Sequence, residues 1–387
     1  MRLFRIFALA LAFLIFMGAA KEPQVEAKGA ILIEADSGRV LWDKNADEAM
    51  AMASTTKIMT AILVLENANL EDIVIVSKRA AAAPRVKMEL SAGEEIPLHG
   101  LLYALMLQSS NDAAVAIAEH MSGSVAEFCA AMTRKAHELG AIDTVFETPS
   151  GLDTDNHRST AHDMALITRY ALQNPLFVEI IATPQFITVS NKKTYDIRNK
   201  NRLLNEFEGA FGVKTGFTGR AGHCFVGAAE REGLRLISVV FASGWGAQGK
   251  EQKWVDTKRL LNYGFNNFIM EEIVTQGQDA GELGITRSRT PLVALYYDGS
   301  LTLPVHKDGE NIELVAFFPE SVQAPLEAGA AVGEGRIYVN GEYFASIPIL
   351  TAQAAARHDL KTSMEKVLKN FLQMGTSKEI SITLPEF

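Results

Sequence analysis

Apolar and polar positions alternate with two different periods along this chain, and the changes of period mark its elements. Residues Ala30 to Trp42 predict a hairpin: Ile31 and Ile33 alternate in one arm, Val40 and Trp42 in the other, and Asp36-Ser37-Gly38 makes the turn. From Ser54 to Glu66 the period becomes helical, with Ile58, Met59, Ile62 and Leu63 on one face. Leu101 to Met106 and Ala113 to His120 are further helical patterns. Ser159-Thr160-Ala161-His162-Asp163 reads as a helix start, with a hydroxyl cap and an acid in the first turn, and Ala165, Leu166, Tyr170 and Leu172 continue it. Short apolar or alternating runs return at Phe211 to Thr215, Cys224 to Glu230 and Leu234 to Ala242, separated by Gly-rich turns. A last helix is expected from about Lys253 to Asn267. Together these predict an α+β domain over residues 28–267, an antiparallel sheet with a helical cluster.

From Val274 the pattern changes to short strands: Leu292 to Tyr296, Leu301 to Val305, Ile312 to Phe318 and Arg336 to Ile349. The last run contains Asn340-Gly341 between alternating residues, the signal of a two-residue hairpin turn. Residues 274–350 therefore read as a small all-β domain. Over residues 360–375, Met364, Val367, Leu368, Phe371 and Leu372 recur at amphipathic helical spacing, with Glu365, Lys366, Lys369, Asn370 and Gln373 on the other face. This terminal helix has two readings, an anchor lying on a membrane surface or a helix packed on the β domain. Residues 376–387 suggest no function.

Composition narrows the classes. Of 387 residues, 48% are apolar and 21% charged, enough to bury large cores. The net charge of −9 has no basic stripe to offset it, which argues against nucleic acid as a partner. Arg2 and Arg5 precede an uncharged run from Ile6 to Ala20, shorter than the ~20 residues of a spanning helix. Residues 1–27 therefore read as a signal peptide, cleaved after Ala20 or Ala27, and the chain as exported to the outer face of the cytoplasmic membrane or beyond. An uncleaved N-terminal anchor is the rival. An exported chain permits disulfides, so Cys129 and Cys224 are either a pair or two buried free thiols. The eight histidines, among them His157, His162 and His223, show no metal-ligand spacing, and neither metal nor cofactor is expected. His223 reads as a surface or supporting residue beside the late strands.

Candidate chemistry lies in three short motifs: Ser54-Thr55-Thr56-Lys57, Ser109-Ser110-Asn111 and Lys214-Thr215-Gly216. Each is weak alone. SxxK recurs at Ser190-Asn191-Lys192-Lys193 and Ser363-Met364-Glu365-Lys366. The set in order is the informative signal, for it is the set of class A β-lactamases and penicillin-binding proteins. Ser54 and Lys57, three apart on a helix, share a face. A serine hydroxyl needs a base, and lysine serves if desolvation or nearby positive charge lowers its pKa. Lys214 would supply that charge. Ser109 can relay a proton to a leaving amine, and Asn111 can hold Lys57 and a substrate amide. Lys214 and Thr215 suit a carboxylate, and Gly216 would let a substrate backbone lie against the strand edge. Ordinary readings remain for each: a helix cap, a polar turn, and an edge strand whose lysine guards against aggregation.

With these residues in order, the chain resembles the D-alanyl-D-alanine carboxypeptidases, the low-molecular-mass penicillin-binding proteins, over almost its whole length. Ser150-Gly151-Leu152, Ser159-Thr160-Ala161, Asp163-Met164-Ala165 and Gly212-Val213-Lys214-Thr215-Gly216-Phe217-Thr218 with Ala221-Gly222 strengthen the likeness. The resemblance implies a β-lactamase/transpeptidase-like domain acting on peptidoglycan stem peptides that end in D-Ala-D-Ala, with β-lactams as covalent inhibitors. It implies Ser54 as acyl-ester nucleophile, Lys57 as base, Ser109 and Asn111 in proton transfer, and Lys214, Thr215 and Gly216 in substrate binding. The backbone N–H groups of Ser54 and Phe217 would form the oxyanion hole. Two departures stand out: Phe217 takes a place where members often carry His, and Ser243-Gly244-Trp245-Gly246 offers no arginine for the carboxylate.

Three other readings compete. A class A β-lactamase needs a glutamate to activate water, and none is convincingly placed between the second and third motifs. A transpeptidase or endopeptidase on cross-links would use the same site. A non-catalytic envelope scaffold would bind through the β domain alone.

Overall fold

A computed structural model describes residues 22–358 and 360–374. The expected signal segment up to residue 21 and the tail from residue 375 lie outside the described residues. Two compact units result. Among the described residues, one comprises 22–270 with His306–Asp308; the other comprises Glu271–Val305 with residues 309–358 and 360–374.

The first unit is built on a five-stranded antiparallel sheet. Its strands are β1 (Gly29–Glu34), β2 (Val40–Lys44), β3 (Ala210–Thr218), β4 (Gly222–Arg231) and β5 (Leu234–Phe241), in the order β2-β1-β5-β4-β3. The hairpin pairs Leu32 with Trp42 and Ile33 with Val40, across a bulge. β1 is an interior strand and buried along its whole length. Its pleat divides it: Ile31 and Ile33 enter one core with the helical cluster, while Ala30 and Leu32 enter a second core with Trp254, Leu260 and Leu261. The sheet is therefore the middle of three layers. β3, which carries the third motif, is an edge strand.

On the first face stand α1 (Lys57–Asn67), α2 (Asn111–Ser122), α3 (Val125–Glu138), α4 (Ala161–Ala171) and α5 (Pro175–Ala182). α1 is buried all round from Lys57 to Val64, more than the expected single face, because other helices and the sheet surround it. α4 starts as the sequence indicates: Thr160 accepts at 2.9 Å from the Asp163 amide. On the opposite face lies α6 (Gly246–Asn267), which begins seven residues before the expected Lys253. Its polar, Gly-containing first turns hide the helix from a periodicity argument, yet Gly249 is needed there: a Cβ would strike the Gly244 carbonyl.

Two short antiparallel strand pairs add to the expected elements, Ile73–Ile75 with Glu95–Pro97 and the hairpin Gln185–Val189 with Thr194–Arg198. The second makes its turn at Ser190–Lys193, so that SxxK lies on no helix. Ser190 Oγ instead donates to buried Glu94 at 2.6 Å. Residues 25–27 pack against the first unit. Val25 and Ala27 are buried, and the Asp256 carboxylate accepts from the Glu26 and Ala27 amides at 3.1 and 3.0 Å.

The second unit carries a six-stranded sheet in the order Ile312–Phe317, Ala331–Val339, Glu342–Thr351, Leu292–Tyr297, Asp279–Thr286, Ser321–Gln323. Only its last pair is parallel. Leu283, Val293, Leu295, Leu303, Ile337 and Ile349 form its core. The Asn340-Gly341 turn has positive φ at both residues, 52° and 84°, as a type I′ turn requires. The strand Asp279–Thr286 escaped the sequence reading because Gly281 and Gly284 interrupt its apolar pattern. A helix spans Leu360–Met374, and Met364, Val367, Leu368, Phe371 and Leu372 are all exposed on it.

Candidate active site

Ala53–Thr56 forms a single 3₁₀ turn that leads into α1, and Ser54 lies within it. Ala53 holds a left-handed φ of 49°. Lys57 is the first residue of α1 and is completely buried. Its Nζ lies 2.9 Å from Ser54 Oγ, 2.8 Å from Asn111 Oδ1 and 2.5 Å from the Ser150 carbonyl. Ser54 Oγ is itself 3.2 Å from that carbonyl.

Asn111 opens α2, and three bonds fix its orientation. Its Nδ2 donates to the Pro84 carbonyl at 3.1 Å and its amide to the Val86 carbonyl at 2.7 Å, which turns Oδ1 toward Lys57. Asp112 beside it is buried and accepts from the Met88 and Leu90 amides, both at 3.0 Å. The segment over the site is thus tied to the base of α2. Ser109 ends the preceding helix with a left-handed φ of 67°. Its half-buried hydroxyl makes no hydrogen bond among the described residues, so no direct bond to Lys57 is formed.

The third motif comes from β3. Lys214 is 2% exposed, and its Nζ donates to the Thr215 carbonyl at 3.0 Å. A guard lysine on an edge strand would be solvated, so that reading does not hold. Gly216 also has a packing role within the chain itself. A Cβ there would lie 2.9 Å from the Ser54 amide nitrogen and 3.0 Å from Ala53 Cβ. The glycine makes room for the turn that carries the serine. Gly151, with φ of 86°, does the same from the other side, where a Cβ would strike the Ala53 carbonyl.

Phe217 is half exposed, and its ring stacks on His223 at 4.3 Å between centroids. His223 is buried rather than on the surface, because β4 pairs it with Phe217 and Gly246 accepts at 3.1 Å from its ring. Thr218 Oγ1 donates to Asp153 at 2.8 Å and Arg220 to the Thr154 carbonyl at 2.8 Å, which pins the turn after β3.

Charge explains how these groups work. Burial pushes Lys57 well below the usual lysine range, and Lys214 adds to the effect, while Asp112 opposes it. A neutral Lys57 can donate its two hydrogens to Asn111 Oδ1 and the Ser150 carbonyl, leaving its lone pair toward the Ser54 hydroxyl. That is the arrangement of a base. Lys214 is lowered to about 7, by burial first and then by Lys253 and Lys200. Burial brings Lys253 itself to about 8.

The structure brings together Ser54, Lys57 and Asn111 by direct bonds, and Gly216 by close packing. The sequence reading missed the Ser150 carbonyl, the steric role of Gly151, the Pro84 and Val86 carbonyls, and two lysines. Lys200 sits on a loop and Lys253 on the third turn of α6, far from Lys214 in sequence and in no motif, so only the packing brings these cations toward Lys214. Cys129 and Cys224 are both free and buried, and burial lifts each thiol to about 12. Among the described residues no cluster of His, Cys, Asp or Glu could hold a metal ion.

The chain belongs to the D-alanyl-D-alanine carboxypeptidase family, whose model matches residues 17–244. Residues 268–357 match the C-terminal domain of penicillin-binding protein 5. The carboxypeptidase DacF of Bacillus subtilis is 31% identical over 344 residues, covering 87% of this chain and 86% of its own. The crystal structure of penicillin-binding protein 5 from Haemophilus influenzae superposes with a TM-score of 0.74 at 28% identity, covering 87% of this chain and 99% of that one. A mutant of the Streptomyces K15 DD-transpeptidase gives a TM-score of 0.60 at 32% identity, over 63% of this chain and all of that one. The fold is accordingly the family's α+β peptidase domain followed by an all-β domain, and the chain is a serine hydrolase.

Proposed function

We infer that this chain is a serine D-alanyl-D-alanine carboxypeptidase that removes the terminal D-alanine from peptidoglycan stem peptides. The observation that carries the mechanism is the fully buried Lys57 amine, 2.9 Å from Ser54 Oγ and anchored by two fixed acceptors. Ser54 Oγ attacks the carbonyl carbon between the two D-alanines, and Lys57 takes the hydroxyl proton. The N–H groups of Ser54 and Phe217 hold the developing oxyanion; one such donor is typically worth ~10²–10³ in rate. Lys214, with Thr215 beside it and Lys253 and Lys200 nearby, attracts the terminal carboxylate. Breaking the C–N bond releases D-alanine, whose nitrogen receives a proton passed through Lys57 and Ser109. Water then attacks the acyl carbon, frees the shortened stem and restores the Ser54 hydroxyl. A β-lactam meets the same attack but keeps its leaving amine tethered, so its adduct on Ser54 is long-lived.

The similarity to a DD-transpeptidase keeps a second acceptor in view. A transpeptidase or endopeptidase would share the acyl-enzyme and differ in what takes or supplies the acyl group. The deciding experiment pairs labelling by fluorescent penicillin with D-alanine release from a pentapeptide, on the natural chain and on Ser54→Ala. Both signals lost in the variant establish the carboxypeptidase. Labelling without release favours the transpeptidase or endopeptidase.

Export and membrane attachment complete the proposal. Export is supported by the positive, apolar N-terminal sequence, and burial of Val25 and Ala27 favours cleavage after Ala20 over Ala27. Attachment is supported by the five exposed apolar side chains of the Leu360–Met374 helix. No helix among the described residues is long and apolar enough to cross a membrane. Flotation with anionic vesicles tests it: Phe371→Glu with Leu368→Glu releases an attached protein and leaves penicillin labelling intact.

A further inference from the structure

The His157 ring is 2% exposed and lies against the back of the turn that carries Ser54. Its Nδ1 is 3.0 Å from the Glu147 amide nitrogen, a group that can only donate. Nδ1 is therefore the acceptor, and the ring proton resides on Nε2. Nε2 lies 2.8 Å from Thr56 Oγ1 and donates to it, and the Thr56 hydroxyl passes its own hydrogen to the Ala53 carbonyl at 2.8 Å. The result is a directed chain, Glu147 N–H to His157 to Thr56 to Ala53. Burial lowers His157 to about 4; Glu147 and Asp153 oppose that shift and Lys57 adds to it, so the ring stays neutral near pH 7.

What the chain holds is a strained piece of backbone. Ala53 keeps a φ of 49°, unfavourable for a residue with a Cβ, directly before Ser54. Gly151 and Gly216 press on the turn from two sides. His157 is itself immobilised: Arg158 pairs reciprocally with Val145 at 2.9 and 3.1 Å, Ser159 with Met50 at 2.8 and 3.0 Å, and Phe146 meets the ring edge-on at 5.9 Å. A rigid ring thus grips the strained turn from a segment 101 residues away.

We propose that His157 is a positioning residue for acylation: through Thr56 it fixes the turn that presents the Ser54 hydroxyl and amide to the acyl carbonyl. The proposal rests on the reading of Ser54 as the nucleophile. Lys57 keeps its own three contacts without His157, so the link governs geometry and not the base's proton affinity.

Two substitutions at His157 separate the two ends of the ring. His157→Gln places an amide nitrogen near the Nε2 position, able to donate to Thr56. His157→Asn places an oxygen near Nδ1, able to accept from Glu147, but reaches nothing at Thr56. Acylation rates by a fluorescent penicillin are read per titrated acyl site, with melting temperatures alongside. His157→Asn and Thr56→Val each slow acylation by tenfold or more, since misplacing a reacting group by about 1 Å costs up to ~10²-fold. His157→Gln stays within about threefold of the natural chain. The double variant His157→Asn with Thr56→Val is no slower than either single variant, because both cut one link. The pH midpoint of acylation is unchanged throughout. A Gln variant as slow as Asn, or losses that follow melting temperature alone, overturns the proposal. If His157→Asn does not fold, Thr56→Val against His157→Gln still decides. A natural chain that forms no adduct on Ser54 refutes the carboxypeptidase reading instead, and the two failures are distinct.

Discussion

The Ser54 amide nitrogen stands 2.9 Å from the point where a side chain on Gly216 would begin. Strand β3 and the 3₁₀ turn before α1 are therefore packed main chain against main chain. This contact, between residues 162 positions apart (216 − 54), sets the height of the nucleophile above the edge strand.

Gly216→Ala tests that relationship directly. The added methyl forces β3 and the Ser54 turn apart, and penicillin acylation falls by about 10²-fold or more. Gly219→Ala is the control, because nothing lies within 4 Å of its Cβ position. Stopped-flow acylation of the two variants should differ by that factor.

Lys57→Arg should abolish measurable acylation while leaving a folded protein. Arginine keeps its proton in proteins and cannot act as the base, a function generally worth ~10²–10⁴ in rate. Mass spectrometry after incubation with penicillin should find the adduct on the natural chain and none on the variant over the same time.

Activity and stability should move in opposite directions above pH 7. Lys214 titrates at about 7 in the folded protein, against an ordinary 10.5. Between those values the unfolded chain binds the proton that the folded chain has lost, so stability rises with pH across that window. Lys253, lowered to about 8, adds to the rise. The same deprotonation removes the charge that attracts a carboxylate, so acylation by a carboxylate-bearing penicillin should decline as pH rises through about 7. Urea midpoints at pH 7 and 9.5, with Lys214→Met, check the first part: the variant should show a shallower rise. Acylation rates over the same range check the second.

Ser190→Ala should leave penicillin labelling unchanged in stoichiometry although it destroys an SxxK. The Ser190 hydroxyl donates to buried Glu94, which also receives the Tyr195 hydroxyl at 2.6 Å. Losing the bond to a charged, buried acceptor costs about 1.5–3 kcal/mol. A lower denaturation midpoint with full labelling is the expected result, and lost labelling with an unchanged midpoint would contradict it.

Much of this was legible along the chain because it depends on local periodicity and local chemistry. The Asp36-Ser37-Gly38 hairpin, the helix that follows Ser54, the Thr160 cap of α4 and the Asn340-Gly341 turn each follow from a few neighbouring residues. So does the order of the three motifs, which indicates the family whose model the chain matches. The sequence also placed Ser54 and Lys57 on one helical face, since three residues make nearly one turn.

Only the tertiary structure decided the rest, because the deciding partners are distant in sequence or are main-chain atoms without a residue signature. The Ser150 carbonyl that anchors Lys57 is such an atom. Gly216 and Gly151 are glycines for the sake of Ala53 and Ser54, which no spacing rule reveals. Lys253 and Lys200 depress Lys214 only because α6 and the loop bearing Lys200 bring them close. His223 is buried because Phe217 stacks on it across two strands. The sequence by itself determined which residues could do the chemistry. Burial and long-range packing determined that Lys57 can be a base, since a lysine in water holds its proton near pH 10.4 and only desolvation beside another cation releases it.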